Sequence, residues 1–112
     1  MKYEKIKISS KDITSDGIMN LINKMQKAGQ KSVHILLDMH DVNMINSGSI
    51  GVLIRNHKDL QIANGGIAII NSSEQLREVF ENSGLIRIIP IFRQIEDYEA
   101  FLESGAKQPL KS

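Results

Sequence analysis

The chain contains no cysteine and no tryptophan. Without thiols there is no disulfide, no thiolate metal ligand and no cysteine nucleophile. The lack also fits a reducing compartment. Aromatic residues make up only 4% of the sequence, so any core has to be built from aliphatic side chains. An excess of one charge is missing too. Lys and Arg number 14 against 13 Asp and Glu, for a formal net charge of +1. That balance supplies no concentrated basic surface of the kind nucleic acid requires. No apolar run approaches the roughly 20 residues that span a bilayer, so no direct membrane insertion is expected. The opening segment, MKYEKIKISSKD, alternates polar and apolar residues and does not read as a secretory signal. The expected location is the cytoplasm.

What is present suits one soluble globular domain. The 112 residues are 41% hydrophobic and 24% charged, outside the range of disordered chains. The reading is a single domain over residues 1–104 with a polar tail at 105–112.

Hydrophobic periodicity then divides the chain. Residues 2–9, with Tyr3, Ile6 and Ile8, read as a strand at a sheet edge. Ser9 to Asp16 is rich in capping residues, and Ile18, Leu21, Ile22 and Met25 place a helix after it, ending at Gly29. Val33, Ile35, Leu36 and Leu37 form a run without alternation, the mark of a strand covered on both faces. This strand is expected to end at Asp38, followed by a polar loop over residues 39–46. A second helix carries Ile50, Leu53, Ile54 and His57 and stops at Asn64-Gly65-Gly66. Residues 67–70 are another buried strand. Ser72 and Gln75 fit a capping box for a helix from Glu74 to a cap at Gly84. Ile88, Ile89 and Ile91 suggest a last strand, confined to an edge by Pro90. Ile95, Tyr98, Phe101 and Leu102 pattern a closing helix. The alternation of strands and helices predicts an α/β fold: a mixed, mostly parallel sheet of four to five strands with about four helices.

Catalytic and cofactor signatures are scarce. There is no Gly-rich phosphate loop of the G-x-x-x-x-G-K-[ST] type. His34, His40 and His57 have no metal-ligand spacing and read as structural. Asp38, His40 and Asp41 lie at a strand's carboxyl end, where α/β sheets bind ligands, yet nothing beside them supplies a nucleophile. They read as a solvated turn. The expectation is therefore no enzyme, no cofactor and no metal.

One stretch is specific. Residues 33–54 read VHILLDMHDVNMINSGSIGVLI. This resembles the STAS domain family, whose pattern is a strand ending in Leu-Asp, a short loop with hydrophobic positions, then Asp-Ser-x-Gly-Leu-Gly opening a helix. Leu37-Asp38 matches the strand end, Val42 and Ile45 the loop, and Asn46 to Gly51 the helix start. Downstream, Asn64-Gly65-Gly66, Ser83-Gly84-Leu85 and Ile89-Pro90-Ile91-Phe92 follow the family's order, so that the likeness covers about residues 30–103.

The resemblance implies a bacterial anti-sigma factor antagonist, regulating transcription by protein–protein interaction. Its partner would be an anti-sigma factor with a serine-kinase ATPase fold, and its binding would release a sigma factor. Antagonists of this family are phosphorylated on a serine three residues before the second glycine of the pattern. Here that position is Gly48, and the usual Asp is Asn46. The phosphorylation candidates are therefore the flanking Ser47 and Ser49, with Ser47 also a candidate N-cap. The expected partner-binding residues are Asp38, Asn46, Ser47, Gly48, Ser49, Ile50, Arg55 and Lys58. Asp12 is either a regulatory acidic residue near this loop or a cap for the first helix. The alternative reading is a STAS accessory subunit of a membrane lipid-transport ATPase complex, which needs no phosphorylated serine. A monomer or weak dimer is expected in either case.

Overall fold

The structure, a computed structural model, describes residues 2–13 and 17–104. The two unbroken apolar runs become its central strands, β2 (His34–Asp41) and β3 (Gly66–Ile70). They are flanked by β1 (Glu4–Ser9) and the short β4 (Ile91–Phe92) in a four-stranded sheet of order β1-β2-β3-β4. Every pairing among the described residues is parallel. β1 is an edge strand, as its alternating sequence indicated.

Among the described residues five α-helices accompany the strands: α1 (Ser10–Ile13), α2 (Ile18–Lys31), α3 (Ser47–Ile62), α4 (Glu74–Ser83) and α5 (Ile95–Glu103). In a parallel sheet laid down in sequential order, each crossover moves the same way. Right-handed connections then put all the crossover helices on one face. Side-chain alternation along the strands agrees. Ile35, Leu37 and Met39 of β2 and Ile67 and Ile69 of β3 point into a core with Leu21, Met25, Leu53, Leu76 and Phe80 from α2, α3 and α4. Leu36, Ala68 and Ile70 point the opposite way, onto Tyr98 and Leu102 of α5.

Several boundaries differ from the sequence expectation. β2 runs to Asp41 because Met39 continues the inward period of Ile35 and Leu37 and is wholly buried. α2 passes through Gly29 to Lys31, and a Cβ at Gly29 would meet nothing. This glycine weakens the helix but does not end it. The cap of α4 is Ser73, one residue later than Ser72, its Oγ accepting from the Leu76 N–H at 3.1 Å. Gly84 is the left-handed C-cap, with φ +83°. Leu85–Arg87 form a 3₁₀ turn, so Ile88 and Ile89 fall outside the last strand. Pro90 precedes that strand and its carbonyl accepts from Ile69 N–H, which uses the acceptor that proline keeps. The tail at 105–112 lies outside the described residues.

His57 fixes one seam of the helix-covered core. It is fully buried, and its Nδ1 accepts from the Ile67 N–H at 2.9 Å. That bond fixes the neutral tautomer with the proton on Nε2. Burial lowers the His57 pKa to about 4, against a small opposing pull from the Ile88 carbonyl.

Candidate functional site at the start of α3

The loop after β2 delivers the chain to α3 with Val42 and Ile45 buried and Met44 exposed. Buried residues three apart pin the loop, and Met44 between them is left exposed. At Asn46 the backbone is extended, with φ −97° and ψ 168°, and α3 begins.

The N-cap is Asn46, not Ser47. Its Oδ1 accepts from the Ser49 N–H at 2.8 Å, while its Nδ2 donates to the Ile13 carbonyl at 2.8 Å. Only an amide side chain can do both, because a carboxylate has no donor for that carbonyl. This accounts for asparagine where the family pattern has aspartate. The same Ile13 carbonyl also accepts from Ser49 Oγ at 2.9 Å. Asn46 and Ser49 together lock the end of α1 onto the first turn of α3.

The two candidate serines therefore separate. Ser49 is fully buried and its hydroxyl is committed to Ile13, so in this fold it offers nothing to a kinase. Ser47 is exposed, and its hydroxyl has no partner among the described residues. Gly48 is exposed beside it. A Cβ there would meet Asn46 Oδ1 at 3.4 Å and Ile18 Cδ1 at 3.5 Å, ordinary contacts. Three residues on, Gly51 is exposed and a Cβ would meet nothing within 4 Å.

Ser47, Gly51, Arg55 and Lys58 are all exposed and recur at the spacing of one helix face. They form a ridge along α3, while Ile50 is half-buried against the core. Arg55 and Lys58 are thus solvent-facing on this ridge. Beside the start of this ridge are Met44 and, on α2 next to Ile18, Met19, each 60% exposed. The sequence reading missed both. A signal existed for Met44: it is the apolar residue out of step with Val42 and Ile45. Met19 lies outside the stripe of Ile18, Leu21, Ile22 and Met25.

Asp38 and Asp12 are not surface contacts. Asp38 is 8% exposed; its Oδ1 accepts from the His40 N–H at 3.0 Å and from Asn71 Nδ2 at 3.1 Å, tying β2 to the turn after β3. Asp12 is 4% exposed. Its Oδ2 accepts from Lys24 Nζ at 2.7 Å and from the Ser9 N–H at 3.0 Å. Burial alone would raise its pKa, but the Lys24 ammonium and the Ser9 donors outweigh that and the net shift is downward. Asp12 thus closes α1 on Ser9 and clamps it to α2. On the exposed rim, hydrogen bonding from His40 and the charge of Lys7 hold the Asp41 pKa down.

A family model for the STAS domain matches residues 12–98. The chain belongs to the STAS domain family. Among solved structures, this STAS chain is similar in fold to the Thermotoga maritima protein TM1081. To its solution structure it is 20% identical, with a TM-score of 0.74 over 90% of this chain and 79% of that one. To the crystal structure of the protein, described as a candidate anti-sigma factor antagonist, it is 20% identical, with a TM-score of 0.71 over 92% and 84%. Among the described residues no group of three or more His, Asp or Glu side chains is placed to hold a metal ion. No helix there is long and apolar enough to cross a membrane.

Proposed function

We propose that this STAS chain is a cytoplasmic anti-sigma factor antagonist that works by docking rather than catalysis. Its docking surface is the exposed ridge of α3 with the loop before it: Ser47, Gly48, Gly51, Arg55 and Lys58, bordered by Met44 and Met19. The partner is an anti-sigma factor with a serine-kinase ATPase fold, and docking frees the sigma factor. The observation that carries this reading is the pair Gly48 and Gly51. Each costs a helix about 1 kcal/mol relative to alanine, and nothing within the chain needs either one bare. Gly29 carries such a cost singly in α2. What sets Gly48 and Gly51 apart is that they lie three residues apart, both exposed on α3 beside Ser47, which leaves the helix backbone open to close approach by a surface outside the chain. The TM1081 likeness points the same way.

With Gly48 at the usual phosphoserine position, Ser47 is the remaining exposed hydroxyl. A phosphate there would add close to two negative charges at the docking surface and disfavour a complementary partner. The test is recovery of the tagged protein from its native cells, with bound proteins and phosphorylated residues identified by mass spectrometry. Recovery of a kinase-type anti-sigma factor, with binding weakened about tenfold or more by Ser47→Asp, is the expected result. Gly48 also favours a second reading, since an accessory subunit of a lipid-transport ATPase needs no phosphorylatable serine. Recovery of a transporter ATPase, with Ser47→Asp silent, would replace the first reading with this one.

A further inference from the structure

The carboxyl end of the sheet holds a second feature, away from the α3 ridge. A pocket of about 290 Å³ opens there, lined by His40 at the end of β2, Asn71, Ser72, Glu74 and Arg77 at the β3–α4 junction, and Phe92 and Arg93 at the end of β4. This is the part of a parallel sheet where ligands collect, because successive loops diverge beyond the strand ends.

The pocket brings two guanidinium groups and an imidazole around one hollow, with Glu74 as the single acid of its lining. Neither guanidinium forms an ion pair or hydrogen bond with any described residue. The Nε of Arg77 is moreover buried, with no acceptor. Buried donors are nearly always satisfied, so an unsatisfied one calls for an explanation. Four lysines elsewhere do have carboxylate partners: Lys5 with Asp38, Lys7 with Asp41, Lys24 with Asp12, Lys31 with Glu4. The first turn of α4 adds the positive end of its dipole. Asn71, in the left-handed conformation at φ 63°, bends the chain into α4 and is held by Asp38. The wall of the pocket is therefore fixed from beneath by a buried carboxylate.

We propose that this pocket binds a small phosphate monoester. The phosphate would lie on the outer Nη groups of Arg77, whose Nε is closed off from solvent, and on the fork of Arg93, using the planar bidentate geometry that suits a guanidinium to phosphate. His40 faces the same hollow, and the ring of Phe92 offers an apolar wall for the esterified group. The volume is ample for a phosphate with one small ring. This site is independent of the α3 ridge.

The test is a titration of the full chain, isotopically labelled, with phenyl phosphate at constant ionic strength, followed by backbone amide NMR. Inorganic phosphate and sulfate serve as comparison anions. Saturable shifts centred on Ser72 to Arg77 and on Phe92–Arg93 are expected, tighter for phenyl phosphate than for inorganic phosphate. Arg77→Ala and Arg93→Ala should each weaken binding roughly tenfold or more, and Arg77→Lys, which keeps the charge but loses the fork, should also weaken it. Lys58→Ala, on the α3 ridge, should leave it unchanged. Arg93 is exposed, so its variant remains informative even if Arg77→Ala lowers stability. Shifts that do not saturate, that spread over the surface lysines, or that survive both arginine variants would overturn the proposal.

Discussion

The two faces of the sheet solve the same problem with different materials. One is covered by α2, α3 and α4 and packed with aliphatic side chains, Phe80 being the one aromatic in its cluster. The other has a single nine-residue helix, α5, and gathers Tyr3, Phe92, Tyr98 and Phe101 around Leu36, Ala68 and Ile70. The topology accounts for the asymmetry. Sequential parallel crossovers place their helices on one side, so the other is left to whatever follows the last strand. One short helix carries few side chains, and large rings give the most buried area per residue. Tyr98 meets Tyr3 edge-on with centroids 5.1 Å apart, and Phe92 meets Phe101 at 5.4 Å. In a chain so poor in aromatics, nearly all of them are spent where helices are few.

The sharpest way to break this comparison is to cut each face at its centre. Leu53→Ala removes a fully buried side chain of α3 and should cost about 3–5 kcal/mol. It should lower amide-exchange protection throughout the molecule, including β2 and β3. Tyr98→Ala should cost about 3 kcal/mol, and its main effect should be local opening of α5. Protection of β2, β3 and α2 to α4 should survive. Equal loss everywhere in both variants would show that the faces form one cooperative unit and that the division is only geometric.

The pH responses should divide the faces next. His57, on the three-helix side, has a folded pKa of about 4, below its ordinary value. The unfolded chain therefore takes up that proton first. The stability carried by neutral His57 is complete above about pH 6.5 and lost as pH falls toward about 4, reaching about 3 kcal/mol. Asp12, also held below its usual pKa, adds a further loss at lower pH still. On the α5 side the order is reversed. The Tyr3 phenol is pushed up to about 12, first by its hydrogen bond to Glu99, and burial raises Tyr98. Their contributions are present below pH 10 and lost above it. Urea denaturation across pH should therefore show an acid slope that His57→Gln flattens and an alkaline slope that it leaves alone.

Much of the helix-covered face was legible in the sequence, because apolar period and unbroken runs report burial directly. Ile35 to Leu37 and Ile67 to Ile70 fixed the central strands, and Leu53, Leu76 and Phe80 fixed the faces of their helices. The failures came where a local signal met a tertiary one. Gly29 reads as a stop, yet packing of Met25 and Ala28 carries α2 past it. Met39 reads as loop because Asp38 and His40 flank it, yet these point away from the core. At the site, the pattern located the start of α3 correctly but could not rank its serines. What separates Ser47 from Ser49 is the Ile13 carbonyl, supplied by a residue 36 positions earlier in the chain. No spacing within the motif encodes that partner. Met44 and Met19, the arginine pocket and the buried role of Asp38 likewise depend on which segments meet.

A smaller effect separates the α3 surface from the core beneath it. Gly51→Ala should raise stability by about 0.5–1 kcal/mol, since the added methyl faces open space and restricts the unfolded chain. The same substitution should weaken docking to the partner, because the methyl stands on the ridge. A more stable protein with impaired binding is the signature of a residue kept bare for something outside the chain. Gain in stability with binding unchanged would take Gly51 out of the interface and leave Gly48 to carry that reading alone.

The smallest expected effect tests what holds the α5 face to the edge of the sheet. Tyr3, the residue before β1, donates its hydroxyl to Glu99 Oε2 at 2.6 Å. The bond is exposed, so water competes for both ends, and Tyr3→Phe should cost no more than about 0.5–1 kcal/mol below pH 10. The ring remains, and with it the edge-on contact to Tyr98. Above pH 10 the variant should be the less sensitive protein, because it no longer creates a phenolate beside the Glu99 carboxylate. Only the alkaline slope due to Tyr98 should persist, and absorbance of the ionised phenol would count the groups titrating. A loss well beyond 1 kcal/mol at neutral pH would mean that this face depends on a polar clasp at its rim. A loss near zero with a reduced alkaline slope would leave its stability with the four rings, as the comparison between the faces requires.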